Sequence, residues 1–239
     1  MPELTKTLDY TKRVFTFLDI LGFGKLVERS AHDKAARALL SQFVDADRVF
    51  SEFMNMMQLG TPSFFSDSIL LSMAKPEHST LYMIREIGML ARYLLFMGFA
   101  TRGGITVGAV HHEGNVVVGP AMISAYKLEQ RANYPRVILD ESAMEYWSDE
   151  FRPDCAHPEL QGWVKRDCDG EWFIDIFSPL WAHALPMGVI MDAAHLIPDT
   201  SAEFNKAVLP HIAKGCADTD PRVRAKWQWL ASQCKASNG

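Results

Sequence analysis

The chain has 239 residues, 48% hydrophobic and 22% charged, with 15 glycines and 12 prolines. That balance belongs to a globular protein and excludes disordered, collagen-like and coiled-coil chains. A formal net charge of −5 argues against nucleic acid or an anionic membrane as partner. No apolar run approaches the ~18–20 residues of a membrane span, and Met1–Lys6 lacks the apolar stretch of a secretory signal, so the expected compartment is the cytoplasm. Cys155, Cys168, Cys216 and Cys234 form no Cys-x-x-Cys pair and read as reduced thiols.

In chain order, Val14–Ile20 is a short β-branched and aromatic run, expected as a buried strand and broken by Leu21-Gly22-Phe23-Gly24. Lys25–Glu28 reads as a short helix. From about Ala31 to Met57, Ala35, Leu39, Phe43, Ala46, Val49, Phe50, Phe53 and Met57 recur at helical spacing, up to the stop at Gly60-Thr61-Pro62. Ser63–Ser66 and Ser68–Met73 read as strands joined by a tight turn at Asp67. Pro76 opens a second long helix that Gly98 ends, and Thr101–Val110 reads as a strand. The order βαββαβ is ferredoxin-like, an α+β sheet with helices on one face.

The rest decorates that core. Glu113-Gly114 turns into a strand at Asn115–Val118. Pro120–Asn133 is a helix, Arg136–Leu139 a strand and Glu141–Trp147 a short helix. Asp169-Gly170 joins Gly162–Arg166 to Glu171–Phe177, a dipeptide that favours a type I′ hairpin. Two units are expected: 1–178, and a helical C-terminal appendage at 179–239. Residues 201–239 carry six basic and three acidic side chains, and Thr219-Asp220-Pro221 caps the last helix. Trp227, Trp229, Met187 and Met191 are expected to pack the appendage on the core. Phe50 and Phe64 read as core, and His111 and His112, beside a hairpin turn, as exposed.

Two aspartates stand out. Asp19 ends the first strand and Asp67 sits in the turn before the third. In this topology those strands are adjacent and antiparallel, so the two carboxylates meet at one edge of the sheet. Like charges that close raise a pKa or call for a cation, and oxygen ligands suit Mg²⁺ or Mn²⁺. Two such ions on two carboxylates form the two-metal arrangement of phosphoryl chemistry. Either aspartate alone is accounted for by local hydrogen bonding in a turn; the pairing carries the functional reading. Gly22 and Gly24, before a helix start, offer backbone N–H groups to phosphate.

These residues resemble the class III nucleotide cyclase domain. Phe17-Leu18-Asp19-Ile20-Leu21-Gly22-Phe23 looks like that family's first-strand metal motif, and Phe64-Phe65-Ser66-Asp67-Ser68 like the second, with Ser66 where glycine is usual. Arg102-Gly103-Gly104-Ile105-Thr106-Val107-Gly108 looks like its Arg-x-Gly-Ile-x-x-Gly strand. Gly119 to Ala125-Tyr126-Lys127-Leu128-Glu129 resembles the dimer-interface helix. The resemblance covers roughly residues 12–178. Its departures point to the pyrimidine cyclases of bacterial Pycsar antiphage systems. Ile123 and Lys127 stand at the transition-state Asn and Arg positions, and Ser63 and Val116 near the two charged purine readers.

The resemblance implies a homodimer with composite sites that converts UTP, or next CTP, to the 3′,5′-cyclic monophosphate, which acts on a separate effector. It implies that Asp19, Asp67 and the Ile20 carbonyl hold two Mn²⁺ or Mg²⁺ ions and that Leu21, Gly22, Phe23 and Gly24 cradle the phosphates. Lys127 of the partner would stabilise developing charge, and Lys165 or Arg166 would clamp the triphosphate. Arg102 would read a pyrimidine carbonyl, its alternative being an inter-strand ion pair. A purine cyclase and a degenerate cyclase-like nucleotide-binding module are the competing readings.

Overall fold

The computed structural model describes residues 8–56, 61–114, 116–150, 162–183 and 200–237. The expectations for Met57, Gly60, Asn115, Cys155, Met187 and Met191, and for the side chain of Phe50, lie outside the described residues and side chains. The elements run β1 (Thr11–Ile20), α1 (Phe23–Ser30), α2 (Lys34–Met56), β2 (Thr61–Phe65), β3 (Ser68–Ala74), α3 (Pro76–Phe96), β4 (Thr101–Glu113) and β5 (Val116–Val118). They continue as α4 (Pro120–Ala132), β6 (Val137–Leu139), α5 (Glu141–Glu150), β7 (Val164–Arg166), β8 (Trp172–Ile174), α6 (Ser201–Cys216) and α7 (Pro221–Ala236). No helix among the described residues is long and apolar enough to cross a membrane.

The sheet order is β2-β3-β1-β4-β6-β8-β7, with β5 folded back on the end of β4. β1 is flanked by antiparallel β3 and β4, and β4–β6 is the parallel pair. The βαββαβ core is therefore as read, on an α+β architecture. Alternation along β1 sends Val14, Leu18 and Ile20 into a core shared with Met83, Ile84, Ile87 and Leu94 of α3. Phe15 points the other way, to Ala121 and Ala125 of α4. Helices thus lie on both faces, not one. Glycines on β4 explain how α4 gets so close: a Cβ at Gly104 would stand 2.2 Å from Leu128 Cβ and 2.8 Å from the Ala125 carbonyl oxygen.

The hairpin between β7 and β8 also departs from expectation. Gly170 has φ +89° but Asp169 is not left-handed, so the turn is not type I′. Asp167 N–H donates to the Glu171 carbonyl at 2.9 Å across a three-residue loop, which suits a type I turn with glycine in the left-handed position. At the C-terminus, Phe204, Val208 and Ile212 of α6 and Leu230 and Cys234 of α7 share one apolar cluster with Leu95, Ala100 and Phe177. Trp227 lies against Gly215 of α6. Trp229 reaches the core, stacking on Tyr134 with centroids 5.4 Å apart and donating to Asp167 at 3.1 Å.

Candidate active site

β1 and β3 are zipped from Arg13↔Ala74 to Asp19↔Ser68, and the Ile20 N–H donates to the Asp67 carbonyl at 3.0 Å. The turn that carries Asp67 is therefore tied to the residue after Asp19, and the two aspartates meet at the end of β1 as the topology requires. On its other side Asp19 stands opposite Arg102 of β4. The Arg102 guanidinium lies 3.7 Å from the Asp19 carboxylate and forms a closer ion pair with Glu129 of α4. Glu129 belongs to the inward stripe of α4 with Ala121, Ala125, Leu128 and Ala132, and its side chain is 2% exposed.

Burial raises the Asp19 carboxyl to about 6, helped by the charges of Glu129 and Asp67; Arg102 and Lys226 of α7 oppose the shift. Burial, and then Arg102, hold the Lys226 ammonium below its ordinary range, while Asp19 and Glu129 pull it up. The cluster thus joins three carboxylates (Asp19, Asp67, Glu129) to two cations, and Arg102 is committed to Glu129. Neither Glu129 nor Lys226 was singled out in the sequence. Glu129 had a signal: a charge on an apolar helical stripe demands a buried partner, though the sequence does not say which. Lys226 had none, because its approach depends on how α7 docks.

The loop after Asp19 starts a helix as expected. Leu21 N–H is taken by the Ala100 carbonyl at 2.9 Å. Gly22, at φ +81°, is the N-cap of α1 and offers no capping side chain, so the first N–H groups of the helix are left for another acceptor. Phe23 anchors the turn by packing on Phe43, centroids 5.0 Å apart. Space beside Gly24 is open. The loop is held from below and accessible from above.

Other residues named from the sequence lie elsewhere in the chain. Lys127 is on the exposed side of α4, beside exposed Ile123 and Tyr126. Lys165 pairs with Asp175 at 2.8 Å, and Arg166 donates to the Gly170 carbonyl at 2.9 Å; both lie on the far edge strand. Neither is among the main influences on the Asp19 carboxyl. Within the chain, then, Arg102 is an ion-pair residue, and the late hairpin's two cations serve the hairpin. His112 is buried, not exposed: its ring bonds Ser63 Oγ at 2.8 Å and Ser72 Oγ at 2.9 Å. Ser63 Oγ also donates to the Gly114 carbonyl at 2.9 Å.

The donor set suits a hard divalent cation. Two carboxylates, Asp19 and Asp67, meet there, and burial with neighbouring negative charge holds the Asp19 pKa up. Among the described residues no three His, Cys, Asp or Glu side chains are grouped to enclose a metal. Mg²⁺ bound through one or two carboxylates, with water and substrate oxygens completing its shell, fits that arrangement.

The fold is that of class III nucleotide cyclase domains. The chain is similar to the adenylyl cyclase CyaB from P. aeruginosa, with TM-score 0.51 and 14% identity over 70% of this chain and 94% of that one. It is also similar to a bacterial light-regulated adenylyl cyclase (TM-score 0.48, 16% identity, 72% of this chain and 54% of that one) and to the guanylyl cyclase Cya2 (0.46, 14%, 71% and 94%). The chain spans about half the length of the light-regulated enzyme. At these identities the likeness establishes fold alone. No protein-family model and no curated protein matches the sequence.

Proposed function

We propose that the chain is a nucleotidyl cyclase that converts a pyrimidine nucleoside triphosphate, UTP before CTP, to its 3′,5′-cyclic monophosphate and pyrophosphate. The observation that carries this reading is the meeting of Asp19 and Asp67 beside the uncapped start of α1, on a class III cyclase fold. Asp19, Asp67 and the Ile20 carbonyl would hold Mn²⁺ or Mg²⁺, which would supply acidification of the ribose 3′-hydroxyl and neutralisation of charge at the α-phosphorus. The protein's own part is to orient. The Leu21 N–H is spent on Ala100, so the N–H groups of Gly22, Phe23 and Gly24 are the ones left to face the phosphates, and Arg102 with Glu129 fixes the position of Asp19. Bond formation from the 3′-oxygen to the α-phosphorus accompanies loss of pyrophosphate.

The base preference rests on uncharged residues. Ser63, near the position where the resemblance sets a charged purine reader, is buried and spent on His112 and Gly114. Val116, near the other, is exposed and apolar. A homodimer supports the same reading: α4 turns Ile123, Tyr126 and Lys127 outward, an apolar patch with one cation, and a C₂ partner would bring Lys127 to the opposite site. By the resemblance, the product would signal in the cytoplasm to a separate effector during phage infection. The purine alternative shares the metal and phosphate residues, and the similar structures are adenylyl and guanylyl cyclases.

The test is incubation of the purified protein with ATP, GTP, CTP and UTP separately, with Mn²⁺, and product identification by mass spectrometry. Cyclic UMP or cyclic CMP that disappears in Asp67→Ala is the expected result. A cyclic purine would overturn the base assignment and keep the cyclase, and nucleotide binding without product would favour the degenerate module.

A further inference from the structure

A site that handles a triphosphate needs cations facing the phosphates. Of those that the sequence offered, Lys127 is turned outward on α4, and the others are committed: Lys165 to Asp175, Arg166 to a carbonyl of its own hairpin, and Arg102 to Glu129. Lys226 is different. It makes no hydrogen bond and no ion pair among the described residues, yet it sits in the field of Asp19, Glu129 and Arg102.

The course of α7 explains why it is there. Asp220 is the N-cap, its side chain accepting from Arg222 N–H at 2.8 Å. That contact first, and the Lys25 ammonium among weaker influences, keep the Asp220 carboxyl low. Lys226, Trp229, Leu230 and Gln233 follow at i, i+3, i+4 and i+7, one face of the helix. Trp229 is fastened to Asp167 and Tyr134, and Leu230 is buried beside Leu95 and Ala100. Leu21, in the loop after Asp19, packs against that same cluster. Lys226 therefore heads the inward stripe of a docked helix, about 9 Å along its axis from the cap. One turn further on, Leu230 shares its cluster with Ala100 and Leu21, at the end of β1 where Asp19 stands.

We propose that Lys226 is a phosphate-binding residue of this site, supplied in cis by the C-terminal helix and acting beside the N–H groups of Gly22–Gly24. The inference rests on the reading of the site as a nucleotide site. In the resting protein the ammonium serves as counter-ion to Asp19 and Glu129. Once a divalent cation neutralises the aspartates, the strongest remaining attraction for it is the anionic phosphate chain. This gives the appendage a function beyond burying apolar surface: it delivers one charge to the mouth of the site.

The experiment measures binding of inorganic triphosphate, with Mg²⁺ in excess, by titration calorimetry to full-length wild type, Lys226→Met, Lys226→Arg, Asp67→Ala and Lys235→Met. Methionine keeps the packing of the lysine stem, and Lys235 is an exposed lysine of the same helix. Loss of one charge-assisted contact predicts about tenfold to hundredfold weaker binding in Lys226→Met, with most of the affinity kept by Lys226→Arg and wild-type affinity in Lys235→Met. Melting temperature checks that each variant is folded. Should Lys226→Met bind as tightly as wild type while Asp67→Ala does not, Lys226 is only a resting counter-ion, and the nucleotide site stands without it. If wild type binds no triphosphate, or if binding ignores both Lys226 and Asp67, the site reading fails and the role of Lys226 fails with it.

Discussion

Two buried charge clusters flank β4, and they are built on opposite terms. Arg136, just before β6, has a side chain with no exposure. Its Nε donates to the Ala132 carbonyl at 3.1 Å, and its terminal nitrogens meet Asp167 and Asp169. Trp229 N–H completes the Asp167 carboxylate, and the guanidinium lies about 5.5–5.8 Å from the ring centroids of Tyr134, Phe173 and Trp229. The Asp19 cluster on the other side leaves carboxylates in excess, a raised pKa and a lysine that makes no hydrogen bond or ion pair among the described residues. A satisfied network is a fastening, whereas an unsatisfied one at a strand end beside an uncapped helix is placed to receive a ligand. Burial is common to both, so the completeness of the bonding separates structural from functional charge here.

The sharpest way to break that contrast is to remove Arg136. Arg136→Ala leaves two carboxylates facing an apolar stack and unpins Trp229. Breaking a buried pair in this way costs about 3–5 kcal/mol, readable as a lower urea midpoint. A change under about 1 kcal/mol would mean that the cluster is no fastening at all. Asp19→Asn should do the reverse. The folded-state pKa of Asp19, about 6, lies above that of an ordinary carboxyl, so its charged form opposes folding. Its contribution is most favourable below pH 4 and is lost as pH rises through 6. Above that pH, Asp19→Asn should be the more stable protein, by on the order of 2 kcal/mol. Mn²⁺ should close the gap by stabilising wild type alone. A variant that is destabilised at pH 8 without metal would show that Asp19 is already satisfied.

Legibility from the sequence followed the range of the interactions. The strands, the first two long helices and the Asp19–Asp67 meeting were readable because alternation, helical spacing and one topology determine them. Helices on both faces were not, since Ala121 and Ala125 are weak apolar signals whose meaning comes from Gly104 and Gly108 on the strand beneath. Asp169-Gly170 misled because the dipeptide favours a two-residue turn, while the bond from Asp167 to Glu171 selects a three-residue one. Arg102 stood out in the sequence as a base reader or an ion-pair residue, but its pairing with Glu129 required knowing that α4 crosses β4 at that level. Lys226 lay outside any local rule: over a hundred residues separate it from Asp19, and the docking of Trp229 brings it there.

The last prediction uses titration to set the Asp19 end of the sheet against its α4 face near Phe15. His112 rests there with ring centroids 6.3 Å from Phe15, and the bonding around it is closed. Ser63 gives its proton to the Gly114 carbonyl, so it accepts from His112 Nε2–H; Ser72 then donates to the unprotonated Nδ1. A second ring proton would force the Ser72 hydroxyl to turn from donor to acceptor, and burial with the nearby Arg13 charge lowers the pKa to about 4. For a depressed histidine, the stabilisation is present above the unfolded value near 6.5 and is lost as pH falls toward 4. Asp19 and His112 therefore titrate over overlapping windows with opposite signs, and the pH profile of wild type alone would hide both. Melting curves from pH 4 to 7 for wild type, Asp19→Asn and His112→Gln separate them. Relative to wild type, Asp19→Asn should gain stability as pH rises. His112→Gln should be less stable at pH 7 by on the order of 1 kcal/mol and converge on wild type in acid. Parallel profiles for wild type and His112→Gln would mean that the ring accepts a second proton without breaking the serine bonds, and the network would then no longer count as closed.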